Sequence, residues 1–124
     1  MNINWDDYPN FSEHEFTCSE TGECDMDPAF MSKLQQLRTE LGKPINPSSG
    51  YRSPSHSAER KKDQPGAHPR GCAVDFPVRN PDAHKVVELA LKLGFTGIGI
   101  SQKPGRPRYI HLDTWAVRKA IWSY

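Results

Sequence analysis

Residues 48–78 read SSGYRSPSHSAERKKDQPGAHPRGCAVDFPV, and the fold turns on how this stretch is parsed. Pro44–Tyr51 leads into it as a short strand ending in a tight turn at Gly50. CAVDFPV, within Gly71–Val78, has the apolar density of a buried strand, with Pro77 close to its end. Residues 53–70 between them carry no apolar periodicity and form a long loop. Loops of that length inside a small domain usually have a task. Arg52, His56, His68, Arg70 and Asp75 all fall in or beside this one.

On either side of that stretch the pattern is helical. Upstream, Asp27-Pro28 is a cap followed by proline at the first helical position. Phe30, Leu34, Leu37 and Leu41 then recur at helical spacing until Gly42, predicting a helix over about 28–41. Phe11-Ser-Glu-His-Glu-Phe16 is a helix start in miniature, with Ser12 and Glu15 as a capping box and Phe11 stapled against Phe16. Downstream, Asn80-Pro81-Asp82 repeats the cap-and-proline device. Val86, Val87, Ala90, Leu91 and Leu93 form the apolar face of that helix, and Gly94 ends it. Thr96–Ser101 is a strand whose glycines allow close backbone approach. Gln102–Pro107 is a basic turn, Arg108–Asp113 a final strand, and Trp115–Trp122 a C-terminal helical turn covering one sheet face. The order predicts a single α+β domain over residues 1–124, with a small, mostly antiparallel sheet flanked by helices.

Composition narrows the function classes. The chain has 124 residues, a formal net charge of +1 and 35% hydrophobic residues, with eleven prolines and nine glycines. Such a balance gives no global field for nucleic acid or an acidic membrane. No run approaches the roughly 20 apolar residues of a membrane span. MNINWDDYPN has neither the basic nor the apolar region of a secretory signal, so synthesis in a cytoplasm is expected. Cys18 and Cys24 are separated by five residues, wider than the usual spacing of paired zinc ligands, and Cys72 stands alone. Reduced, structural cysteines are expected, although a Cys18–Cys24 disulfide is sterically possible.

The chemistry-bearing residues form two His/Asp pairs, His68 with Asp75 and His111 with Asp113. Catalytic zinc takes three protein ligands from His and carboxylate, leaving a fourth position for water. His68, Asp75 and His111 are the natural set. Positions 68 and 75 lie an odd number apart, so a straight strand would turn them to opposite faces. They converge only if the chain bends, and Gly71 is the residue able to bend it. His111 and Asp113 are two apart on a strand and share a face. Asp113 would then either accept a proton from the attacking water or orient a metal ligand from behind. Arg52 suits a substrate carboxylate or the oxyanion of a tetrahedral intermediate, and His56 a further polar contact to substrate. His14 and His84 read as solvent-facing, and Arg60-Lys61-Lys62 as a solvated run.

SGYRSP, then His68-Pro-Arg-Gly71-Cys-Ala73-Val-Asp75 as H-x-x-G-x-A-x-D, then GIGIS and YIHLDT, resemble in that order the zinc D-Ala-D-Ala carboxypeptidase family. The likeness spans about residues 10–115 and includes FSEHEF and DMDPAFMSKL. Within the family, the chain is similar to small single-domain members of phages and bacteria that cut peptidoglycan peptides. The resemblance implies a hedgehog/D-Ala-D-Ala peptidase-like fold, Zn2+ on His68, Asp75 and His111, and a transition-state arginine at Arg52. Two positions depart from the pattern. Gly66 replaces a frequent serine two residues before the first histidine. Arg108 replaces the acidic general base found in other branches three residues before the last histidine. Asp113, retained in the H-x-D branch, is the candidate for that base.

The expected function is zinc-dependent hydrolysis of a peptide bond in peptidoglycan stem peptides by a monomer that meets the wall after release, as in a phage or prophage. Its partner is the peptide substrate, with no nucleic acid and no membrane. The alternative is a non-catalytic zinc module for murein binding or phage assembly, to which Arg108 lends support. A nuclease or polyanion-binding reading of the basic 52–70 loop has near-neutral charge and the lack of a stacking platform against it.

Overall fold

The computed structural model describes residues 3–115 and 119–124. Its helices are α1 (Glu13–Phe16), α2 (Pro28–Leu41) and α3 (Asn80–Leu93), and its strands β1 (Ala73–Pro77), β2 (Gly97–Ser101), β3 (Tyr109–Asp113) and β4 (Ala120–Ser123). Short 3-10 turns occupy Trp5–Asp7 and His68–Arg70. The α+β class therefore stands. The strand order is β1-β3-β2-β4; β3 pairs antiparallel with both β1 and β2, and β4 runs parallel to β2.

Alternation along the strands sorts the sheet into two chemically different faces. Val74 and Phe76, Ile98 and Ile100, and Ile110 and Leu112 point to one side. Most of them are buried in one cluster with Phe30, Leu34 and Leu37 of α2 and Val86, Leu89 and Ala90 of α3. The opposite side carries Asp75, His111, Asp113, Gly97, Gly99 and Trp122. Asp75 and Gly99 both lie opposite His111, and Gly97 lies opposite Asp113. One face builds the core and the other is left for polar chemistry.

The helix ends follow their sequence signals. Asp27 accepts the Phe30 N–H at 3.0 Å, and Gly42 closes α2 in the left-handed conformation. The Ser12 N–H donates to Glu15 Oε1 at 3.0 Å, and the Phe11 and Phe16 rings meet edge to face at 5.5 Å. This N-terminal staple reaches further than its own turn. Tyr51 N donates to Phe16 O at 2.9 Å, and a Cβ at Gly50 would stand 2.8 Å from Phe16 Cα. Only glycine lets residues 50–51 lie this close.

Four expectations are corrected. The helical turn foreseen over 115–122 ends instead in β4; residues 116–118 lie outside the described residues. Ala120 N bonds Thr96 O at 2.8 Å and Tyr124 N bonds Ile100 O at 3.3 Å, so the open backbone edge of β2 recruits this segment as a strand. Tyr109–Asp113 is thus not the last strand. Residues 44–51 form only an isolated bridge, Ser49 to Asp75, because Pro44 and Pro47 have no N–H for a longer ladder. Asn80 is the first residue of α3, not its cap; Arg79 holds the cap position without a side-chain hydrogen bond. Leu91 is 56% exposed, and Leu89 takes its place beside Val86 and Ala90 on the buried face. Among the described residues, no helix is long and apolar enough to cross a membrane.

Candidate metal centre

The bend anticipated between His68 and Asp75 falls at Gly71, whose φ is +73°. A Cβ there would sit 2.2 Å from Asp25 O, so the chain passes too close to the residues leading into α2 for any side chain. Gly71 O in turn accepts the Asp27 N–H at 2.8 Å. The 3-10 turn His68–Arg70 precedes the bend and β1 follows it, bringing His68 and Asp75 to the same side.

His68, Asp75 and His111 each offer a ligand atom, and these atoms all lie within 4.8 Å of one another. All three residues are buried. His68 Nδ1 lies 2.7 Å from Gly50 O, and a carbonyl can only accept. That bond fixes a proton on Nδ1 and turns Nε2 to the cluster, 3.4 Å from Asp75 Oδ1, as the atom able to ligate. The Phe16–Gly50 packing thus sets the tautomer of His68. His111 Nδ1 lies 2.8 Å from Asp75 Oδ1, and its Nε2 lies 2.7 Å from Asp113 Oδ2. Asp113 is outside the cluster of mutually close ligand atoms and also accepts the Trp115 N–H at 3.2 Å.

The electrostatics are those of a site preset for a cation. Burial alone would raise the Asp75 pKa, but hydrogen bonds from His111 and His68, and their charge, hold its carboxyl well below the usual carboxylate range. Burial alone would lower His111, but its bonds to Asp113 and Asp75 push it up to about 8. Loss of one proton from His111 leaves Nδ1 with a lone pair facing Asp75 while Nε2 still donates to Asp113. Two imidazole nitrogens and a carboxylate oxygen, with tautomers fixed by Gly50 O and Asp113, match the donor chemistry of a three-ligand zinc site.

The cluster opens on a cleft of about 430 Å³. Arg52, Glu59 and Lys62 line one side of it, and Tyr109, Trp122 and Tyr124 also face it. Arg52 donates to Ser49 Oγ at 3.2 Å, Glu59 Oε2 at 3.3 Å and Asp75 Oδ2 at 3.4 Å, so its guanidinium bridges the loop to the cluster. Glu59, buried within the ERKK run, holds Lys62 at 3.1 Å and was not legible from sequence. Lys62 stays exposed, as expected for that run, while its ammonium reaches this wall. Trp122 was also missed as a cleft residue because its segment was read as helical, and Tyr124 lies just beyond that segment. Burial, with the Asp75 charge and the Tyr109 hydroxyl, pushes the Tyr124 phenol up to about 12.

His56 does not line the cleft; its Nε2 lies 3.2 Å from Glu20 Oε2 and its Nδ1 accepts the Ala58 N–H. His14 and His84 are exposed, and the three cysteines are free. Arg108 also turns away, donating to Gln102 Oε1. A larger cavity of about 550 Å³ beside Lys43, Phe76 and Asp82 contains no histidine or cysteine, so size does not mark the chemical site here.

A search of curated proteins returns no match. The family model described as Peptidase M15 matches residues 9–113, from just before α1 through the end of β3. That match covers most of the chain and contains His68, Asp75, His111 and Arg52, in agreement with the resemblance carried by the sequence motifs. This protein belongs to the Peptidase M15 family of zinc-dependent metallopeptidases.

Proposed function

We propose that the chain hydrolyses a peptide bond in peptidoglycan stem peptides, with zinc held by His68, Asp75 and His111. The observation that carries this reading is the buried His-Asp-His cluster at a cleft that also presents a guanidinium. Bound there, zinc supplies a Lewis acid for the scissile carbonyl and lowers the pKa of water toward ~7. Arg52 binds an anionic oxygen of the substrate, either a carboxylate or the oxygen on which charge develops. Glu59 and Ser49 fix its approach through their hydrogen bonds.

Asp113 is the candidate base by its place in the H-x-D ending. Its hydrogen bonds favour a different task. One carboxylate oxygen bonds His111 Nε2 and the other accepts the Trp115 N–H. We therefore assign Asp113 as a positioning residue that orients His111 and keeps its Nδ1 toward Asp75. His56, paired with Glu20, is given no substrate contact.

Incubation of the zinc-loaded protein with murein fragments, followed by mass analysis, tests the reading. Release of an amino acid, a dipeptide or a longer stem-peptide fragment supports it and names the bond; unchanged fragments at full zinc occupancy contradict it. A second reading, a non-catalytic murein-binding zinc module, draws on Arg108 standing where other branches carry an acid. It predicts retention on insoluble murein without cleavage. The setting proposed for the peptidase is a phage or prophage, in which it meets the wall after release.

A further inference from the structure

β4 lies beyond the residues matched by the family, yet it supplies a wall of the cleft. Alternation along β4 turns Trp122 to the same face as His111 and turns Ile121 away. The Trp122 ring lies 5.3 Å from the His111 ring. The space it uses exists because residue 99 is glycine: a Cβ there would stand 2.7 Å from the indole Nε1. Tyr124 extends the row, its ring 6.4 Å from Trp122 and 5.5 Å from Tyr109. Trp122 is only partly buried and Tyr124 is 51% exposed, so both keep ring surface for contact.

Arg52 brings a guanidinium to the same cleft, held there by Glu59 and Asp75, and Lys62 pairs with Glu59 beside it. A cleft that combines cations with uncharged rings discriminates among peptides. Cations select a carboxylate, while rings take up an uncharged face such as a peptide plane with a small aliphatic side chain.

We propose that Trp122 and Tyr124 are specificity-determining residues that hold the uncharged face of a carboxylate-bearing peptide against the metal centre. This rests on the peptidase reading and adds two residues to it. The ring surface is there to be covered by substrate, and the charge at Arg52 sets which peptides arrive in register with it.

The test compares wild type with Trp122→Leu, Tyr124→Ala and, on the opposite face, Ile121→Ala. Each protein is zinc-loaded and checked for zinc content and melting temperature, then given a mixture of murein peptides. The expected result is KM raised about tenfold in Trp122→Leu and severalfold in Tyr124→Ala, with kcat changed less than about threefold and Ile121→Ala like wild type. Unchanged KM in both aromatic variants overturns the proposal. Should Trp122→Leu lose its zinc or its fold, Tyr124→Ala decides alone by the same criterion. Binding is read separately by tryptophan fluorescence as the peptides are added. Without turnover by wild type the peptidase reading fails, and fluorescence still decides the wall. A titration seen in wild type and weakened in Tyr124→Ala supports it; an identical titration, or none in wild type, overturns it.

Discussion

Gly97 stands opposite Asp113 in the β2–β3 register, and the Asp113 carboxylate fills the space a side chain at 97 would take: a Cβ there would lie 2.3 Å from Oδ2. A residue with no side chain thereby holds a place for a carboxylate, which in turn holds His111. Gly97→Ala must displace Asp113 from His111 Nε2. Zinc affinity is expected to fall about 10–100-fold, as for loss of a partner behind a metal-bound histidine. Competition with a chromophoric chelator measures it, and an affinity equal to wild type would show that Asp113 does not act through this contact.

The two roles considered for Asp113 separate in Asp113→Asn. Asparagine keeps an oxygen able to accept from His111 Nε2 but cannot take up a proton. For a positioning residue, Asp113→Asn retains most activity, whereas Asp113→Ala loses zinc affinity about 10–100-fold. For a base, both variants lose activity by about 10²–10⁴-fold with zinc retained. Rates at saturating zinc, beside zinc content, tell these apart, and the account expects the first outcome.

Zinc binding is expected to release a proton from His111. Without metal its pKa is raised to about 8, so at pH 7 the ring is largely protonated, and a ligating nitrogen must give that proton up. The His111 ring signals followed by NMR should titrate near pH 8 in the metal-free protein and lose that titration once zinc is bound. The sign for folding is opposite. A raised histidine pKa stabilises the metal-free protein fully below its unfolded value of about 6.5, and that contribution disappears as pH rises through about 8. A His111 titration left unchanged by zinc would remove that residue from the ligand set.

Glu59 is predicted to set both stability and the placement of Arg52. Its carboxyl is held below its ordinary value: burial opposes this, but bonds from Lys62 and Arg52 prevail. A lowered acid pKa contributes stability above the unfolded value of about 4.3, and this is lost as pH falls through the folded value. Glu59→Gln should therefore cost about 1–2 kcal/mol at pH 7, a buried pair discounted for its half-exposed partner Lys62. The difference from wild type should shrink below about pH 4. Urea melts at the two pH values check this, and a gap that persists at low pH would point to packing instead of charge.

Much of this was legible in the sequence because period-two and period-3.6 patterns are local. YIHLD and AVDFP put apolar residues on one face and His111, Asp113 and Asp75 on the other, and α2 declared its cap, stripe and stop. Gly71 was readable as a bend because two ligands an odd number apart require one. What escaped depended on distant partners. AIWS is too short to declare its period and became a strand only because β2 had an edge to pair. Glu59, next to the solvated Arg60-Lys61-Lys62 run, carried no signal, since nothing local shows that Arg52 folds back upon it. His56 beside SGYRSP looked like a substrate contact until Glu20, far away in sequence, took its ring.

Joint possession of one cation by His68, Asp75 and His111 underlies every role proposed for the cleft. Zinc content per chain after exhaustive dialysis, compared between wild type and His68→Ala, Asp75→Ala and His111→Ala, tests it most directly. One zinc per folded wild-type chain, and loss of it in each variant with its circular dichroism intact, is the predicted result. A wild type without zinc at full metal excess, or variants that retain it unchanged, would contradict the account.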